Sequence, residues 1–310
     1  MKQTLLTKTM SKANCNNPVN GILLLNKPQG LTSNAVLQQI KRLYRAKKAG
    51  HTGSLDPLAT GMLPVCFGEA TKFSQYLLDA DKCYEATGLL GIKTNTADAL
   101  GEIIEEISSF QITRAQLEVV LNEFKGKIKQ IPSMFSALKH KGTPLYKYAR
   151  EGITIEREAR EIIVHNLELT AFDGKSFAIK VVCSKGTYIR NLVEDIGERL
   201  GVGAHVTQLH RVNTAGFAEE PMYNLDVLQN KPQEELYACL LPVDRAVQYL
   251  PWLNLNLTEV AALRQGKVLS KPSSNAIQGH IRLYDECENF VGVGECKDRS
   301  TLMAKRLISA

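Results

Sequence analysis

Asp56 is the one carboxylate in the twelve-residue run Gly50-His-Thr-Gly-Ser-Leu-Asp-Pro-Leu-Ala-Thr-Gly61, which three glycines punctuate. A lone acid in such a stretch suits nucleophilic or general-base chemistry, provided the chain aims it into a cleft. Two readings compete on local physics. In the plainer one Asp56 caps a helix and Pro57 takes the first helical position, where its fixed φ is pre-organised. In the other, Gly50, Gly53 and Gly61 allow tight turns, and Pro57 biases Asp56 to extended backbone that points its carboxylate into a site.

Two further groups invite chemistry. Lys41-Arg-Leu-Tyr-Arg-Ala-Lys-Lys48 sets five cations in eight residues directly before the Asp56 run, as a phosphate-tracking surface would, although a solvated helix face has the same composition. Tyr188 and Arg190 stand in Cys183-Ser-Lys-Gly-Thr-Tyr-Ile-Arg190, between a strand-like run and a helix-like one. Such junctions project side chains from a rigid frame. Taken alone, Tyr188 is a core aromatic and Arg190 an exposed helix-start cation.

Five blocks in order, over about residues 20 to 215, carry a resemblance. They are Gly21-Ile-Leu-Leu-Leu-Asn-Lys-Pro-Gln-Gly-Leu-Thr-Ser33; Gly50 to Gly61; Tyr84 to Gly91; Ile131-Pro-Ser-Met-Phe-Ser-Ala-Leu-Lys139 with Leu145-Tyr-Lys-Tyr-Ala-Arg150; and Cys183 to Arg190 followed by Gly203-Ala-His-Val-Thr-Gln-Leu-His-Arg211. Together they resemble the bacterial tRNA pseudouridine-55 synthases, the TruB family. The chain departs from that pattern at Asn95, Phe135 and His210, where aspartate, tyrosine and arginine are usual.

The resemblance implies isomerisation of the uridine at position 55 in the tRNA T loop, with the base flipped out of its stack. It implies that Asp56 is the nucleophile or base, attacking C1′ or C6 or deprotonating the ribose. Arg190 pairs with Asp56 and would hold the carboxylate ionised by lowering its pKa. Tyr84 stacks on the target base and takes part in proton transfer, and His51 enters the T loop. Tyr188 and Leu209 wall the pocket, Lys27 and Pro28 buttress the loop, and Arg211 contacts the substrate. Guide-RNA-directed modification and a tRNA-folding role with incidental catalysis are the alternatives. The long insert from Gly91 to Lys129 favours a stand-alone enzyme.

Composition narrows the field. The 310 residues carry 38 Lys plus Arg against 32 Asp plus Glu, a net charge of +6, which is compatible with a polyanionic partner. No apolar run of about 20 residues is present, so no membrane span is expected. Seven cysteines without a Cys-x-x-Cys pair fit a reducing cytoplasm. No zinc spacing and no glycine-rich nucleotide loop occur, so no metal and no cofactor are expected. A monomer with tRNA as partner and no obligate protein partner completes the expectation.

Local patterns place these residues on elements. Ile22 to Leu25 predicts a strand, Thr32 or Ser33 a cap, and Val36, Ile40, Leu43 and Tyr44 one helix face ending in the basic cluster. Thr113 with Gln116 predicts a capping box before Leu117, Val120, Leu121 and Phe124. Phe177 to Cys183 alternates in its first half like a half-buried strand, and Ile189, Leu192, Val193, Ile196 and Leu200 mark a helix. After Pro251, short apolar segments at 255–263, 266–269, 281–284 and 290–294 suggest a small β-rich domain. The expectation is an α+β pseudouridine synthase fold with a mixed, largely antiparallel central sheet over residues 21–250. Residues 1–20 form a disordered tail, and residues 251–310 a domain resembling the PUA RNA-binding domain.

Overall fold

The computed structural model describes residues 18–309 apart from 215, 218, 271–277, 298 and 299. The tail expected over residues 1–20 falls outside them up to residue 17. Its last residues differ from expectation: Val19 packs against the core, and the Asn20 Oδ1 accepts the Glu69 N–H at 2.8 Å. The chain therefore joins the fold slightly before the first strand.

Nine strands form the central sheet: β1 (Gly21–Lys27), β2 (Ala49–His51), β3 (Thr60–Phe67), β4 (Lys82–Leu90), β5 (Gly126–Gln130), β6 (Arg160–Phe172), β7 (Ser176–Cys183), β8 (Ala204–Thr214) and β9 (Tyr223–Asn224). Their order is β9-β1-β3-β8-β4-β7-β6-β5, with β2 on β3. Only β1/β9 and β3/β8 run parallel; the other pairs are antiparallel. The apolar run of β1 is buried on both faces, as its lack of polar alternation requires. Leu23 and Leu25 join the cluster beneath the first helix, while Ile22 and Leu24 join a second cluster on the opposite face.

Helix α1 (Ser33–Leu43) is capped by Thr32, whose hydroxyl accepts the Ala35 N–H at 3.1 Å, so Ser33 is released for another task. Val36, Leu37, Ile40 and Tyr44 are buried, and Leu43 packs partly buried against the same core. Helix α2 (Arg114–Glu123) carries the expected Thr113/Gln116 capping box. Helix α3 (Ile189–Arg199) follows β7, whose alternating burial runs its whole length.

A five-stranded sheet closes the chain: β10 (Trp252–Asn254), β11 (Leu269–Ser270), β12 (Gly279–Tyr284), β13 (Phe290–Cys296) and β14 (Thr301–Leu307). Within it, the apolar segment from residue 255 to 263 is mostly helical, α4 (Leu257–Arg264), rather than part of a strand. Asn256 and Glu259 form a reciprocal capping box there, which satisfies the first free N–H groups and commits the segment to a helix. This sheet is fixed to the first. Phe290 packs on Phe73 at 5.3 Å, and the Lys72 ammonium donates to the Leu307 carbonyl at 3.1 Å.

Gly61, the second residue of β3, has φ +100°, and a Cβ there would stand 2.2 Å from the Arg211 carbonyl oxygen on β8. Gly61→Ala is expected to lower stability by about 2 kcal/mol or more, from backbone strain and the forced separation of β3 and β8. An unchanged urea midpoint would reject that account.

Candidate active site

The Asp56 loop joins β2 to β3, and no helix follows Asp56. The capping reading is thus set aside: the chain makes one turn, with the Ala59 N–H on the Asp56 carbonyl at 3.1 Å, and enters β3 at Thr60. Contacts on either side of Asp56 hold it in place. The Gly30 N–H donates to the Pro57 carbonyl at 2.8 Å, and the Ser33 hydroxyl engages both backbone groups of Leu55.

Arg190, in the first turn of α3, reaches Asp56 from the other side of the cleft. Its Nε lies 2.8 Å from Asp56 Oδ2, and one Nη lies 3.3 Å from Oδ1. The guanidinium is buried, and two more of its donors are engaged by the Thr96 carbonyl at 2.8 Å and the Phe135 carbonyl at 3.0 Å. A second carboxylate, Asp98, stands 3.6 Å away. Asp98 is itself fixed by the Thr96 hydroxyl at 2.8 Å and the Leu100 N–H at 3.0 Å. Arg190 is therefore shared by two acids, which the sequence did not reveal. The only local sign of Asp98 is the Thr96-x-Asp98 turn.

This arrangement corrects the expected pKa. Burial pushes the Asp56 carboxyl above the usual carboxylate range; Arg190 opposes the shift, while the negative charge of Asp98 adds to it. The carboxylate side chain keeps 38% of its surface open, so it remains accessible from the cleft.

The cleft encloses about 430 Å³ beside Asp56, walled by Tyr84, Leu209, Tyr188 and Ile189, with Ser136 to Leu138 along one side. Tyr84 and Tyr188 are both held above the ordinary phenol value by burial, so each presents an O–H at neutral pH. Gln130, a residue that sequence patterns did not single out, fastens Tyr188: its amide accepts the Tyr188 N–H at 2.8 Å and donates to the Tyr188 carbonyl at 3.0 Å. Lys82 also borders the cleft, but its ammonium is directed at the Leu77, Leu78 and Ala80 carbonyls.

Other sequence-predicted residues lie beneath or beside the cleft. Arg211 is 1% exposed, with Nε on the Met62 carbonyl at 2.6 Å and an Nη on the Gly53 carbonyl at 3.0 Å. These bonds brace the loop, and the side chain also lines the cleft. Lys27 is fully buried, binds the Pro28 and Leu31 carbonyls, and is lowered to about 8 mainly by burial. His51 ends β2 outside the cleft lining, and its Nδ1 has no hydrogen-bond partner among the described residues. Burial and the charge of Arg211 lower its pKa, which favours the neutral ring. His210 is tied to the Thr60 hydroxyl at 2.8 Å. Lys41, Arg42, Arg45, Lys47 and Lys48 make no ion pair with any described residue. Among the described residues no group of three His, Cys, Asp or Glu side chains is placed to hold a metal ion, and no helix is long and apolar enough to cross a membrane.

A mixed sheet thus carries an aspartate loop, an arginine at a helix start and a tyrosine-walled cleft. Residues 41–189 match the TruB family pseudouridylate synthase N-terminal domain, 190–248 the tRNA pseudouridylate synthase B C-terminal domain, and 251–308 the pseudouridine synthase II TruB C-terminal domain. A tRNA pseudouridine synthase B of Legionella pneumophila strain Philadelphia 1 is 60% identical over 292 residues, covering 94% of this chain and 96% of that one. One from Tolumonas auensis is 50% identical over 94% of this chain and 92% of its own. Among solved structures, a Cbf5-Nop10-Gar1 complex matches with a TM-score of 0.71 and 29% identity over 91% of this chain and 80% of that one. An H/ACA RNP bound to a substrate RNA containing 2′-deoxyuridine matches at 0.72 and 25%, over 94% and 85%. The chain belongs to the TruB family.

Proposed function

We propose that Asp56 is the reacting carboxylate in conversion of uridine 55 of the tRNA T loop to pseudouridine. The chain is a tRNA pseudouridine synthase, an isomerase, as its family and its 60% identity to a tRNA pseudouridine synthase B indicate. The observation that best supports the role of Asp56 is its placement, paired with a buried arginine yet open to a cleft of about 430 Å³.

The reaction breaks the bond from ribose C1′ to N1 and forms one from C1′ to C5; the proton leaving C5 is matched by one gained at N1. No redox change and no second reactant are involved. The base must leave its stack, at a cost of roughly a few kcal/mol that pocket contacts offset. Tyr84, Tyr188 and Leu209 supply those contacts, with Tyr84 against the ring. Asp56, charged and oriented by Arg190, faces the sugar and base. Lys27, Pro28 and Arg211 hold the loop from below. Residues 21–250 carry the chemistry and residues 251–310 add RNA contacts. The enzyme acts as a cytoplasmic monomer without an obligate protein partner.

An unmodified tRNA transcript incubated with the purified chain and no other RNA tests the whole proposal: pseudouridine should map to position 55. Product that appears only with an added guide RNA, or binding without product, would defeat it. The pH profile follows from the raised carboxyl. Activity should fall as pH drops through the Asp56 pKa, with the acid limb above the ordinary carboxylate value of 3.8. A single-turnover rate that held steady down to about pH 4 would show that Arg190, not burial, controls this group.

A further inference from the structure

We infer that Ser33 is a positioning residue for Asp56, acting through the backbone of Leu55; this rests on the assignment of Asp56 as the reacting group. Ser33 is the first residue of α1 and 3% exposed. A serine at a helix start ordinarily caps it, but Thr32 already does so. The freed Ser33 hydroxyl instead turns to a loop 22 residues away: Oγ accepts the Leu55 N–H at 2.7 Å and is placed 3.0 Å from the Leu55 carbonyl to donate to it. One hydroxyl thus serves both backbone groups of the residue before Asp56.

Leu55 is 5% exposed and belongs to the cluster that packs on α1, so its backbone groups have little access to water as substitutes. On the other side of Asp56, the Pro57 carbonyl is held by Gly30 in the turn just before α1. That turn is in turn gripped by the Lys27 ammonium, through the Pro28 and Leu31 carbonyls at 2.8 and 2.6 Å. Asp56 is therefore suspended between two tethers to the same turn and helix start. The tether at Ser33 is a side-chain contact, so it can be removed without altering the loop sequence. Loss of it frees Leu55 to drift, and a shift of about 1 Å in a reacting group costs on the order of a hundredfold in rate.

Ser33→Thr and Ser33→Val carry the same bulk and differ in the hydroxyl, so their comparison separates tethering from crowding. At saturating enzyme, Ser33→Thr should outpace Ser33→Val by about a hundredfold in the single-turnover rate. RNA affinity by filter binding should stay within about threefold for both, because the contact is remote from the RNA. A looser Asp56 also loses part of its pairing with Arg190, so the acid limb of the rate profile should move to higher pH in Ser33→Val. A merely unstable protein would lose active fraction at all pH values and leave the limb in place. If Ser33→Val does not fold, Ser33→Ala, which leaves room instead of crowding, takes its place with the same expected rate loss and limb shift. Equal rates for the Thr variant and the variant lacking the hydroxyl would overturn the inference. So would a loss fully explained by the active fraction counted in a stoichiometric RNA titration, with an unmoved limb. Full turnover by Asp56→Asn, measured alongside, would instead strike the assignment on which the inference rests.

Discussion

Asp56→Asn is expected to reduce pseudouridine formation by about 10⁴-fold or more while RNA affinity changes little. Asparagine keeps the size of the side chain and one of the two oxygens that accept from Arg190, but it lacks the negative charge that a nucleophile or base needs. The fold should tolerate the change. Burial already disfavours the ionised form of Asp56, so removing the charge relieves that cost, and Arg190 keeps Asp98 together with the Thr96 and Phe135 carbonyls. The thermal midpoint should therefore be no lower than that of the parent. Single-turnover conversion and filter binding, run side by side, check the outcome. Substantial turnover would remove Asp56 from the chemistry, and a matching loss of binding would turn its role into one of recognition.

The raised carboxyl shows where sequence reasoning stops. Arg190 beside Asp56 was legible from the matching blocks, and the pair forms as expected, at 2.8 Å. The direction of the resulting pKa was not. It depends on how much water the folded loop excludes and on Asp98, which lies 42 positions from Asp56 in the sequence and meets Arg190 only through the fold. The same divide runs through the rest of the molecule. Elements set by local periodicity or by capping chemistry a few residues long were visible: β1, the Thr113/Gln116 box, the alternation of β7, and the strand-to-helix junction at Tyr188. Contacts that close over long separations were not. Gln130 fastens Tyr188 across 58 positions, and Arg211, which lines the cleft, also grips the Gly53 carbonyl across 158. The helix α4 was missed for a different reason. Its Asn256-x-x-Glu259 box is a local signal, but the surrounding short apolar runs share the texture of strands.

Arg190→Ala should lower the rate by on the order of 10² to 10³-fold and also destabilise the fold, and the two effects have separate causes. The rate falls because Asp56 loses the fork that orients it, and a single positive point charge cannot replace that geometry. Arg190→Lys should accordingly recover little, since an ammonium cannot reach both acids and the Thr96 and Phe135 carbonyls at once. Stability falls because Asp98, with 7% of its side chain exposed, is left as a buried charge without its cation, a loss of about 3 kcal/mol or more. Pairing Arg190→Ala with Asp98→Asn isolates the terms. The double variant should regain most of the lost stability, because the stranded charge is gone, yet remain as slow as Arg190→Ala, because Asp56 is still without its partner. Urea unfolding and single-turnover rates on the four proteins of this cycle decide the matter. Near-normal turnover by Arg190→Ala would reject the pairing as functional. Recovery of rate together with stability in the double variant would mean that Arg190 serves catalysis only by neutralising Asp98.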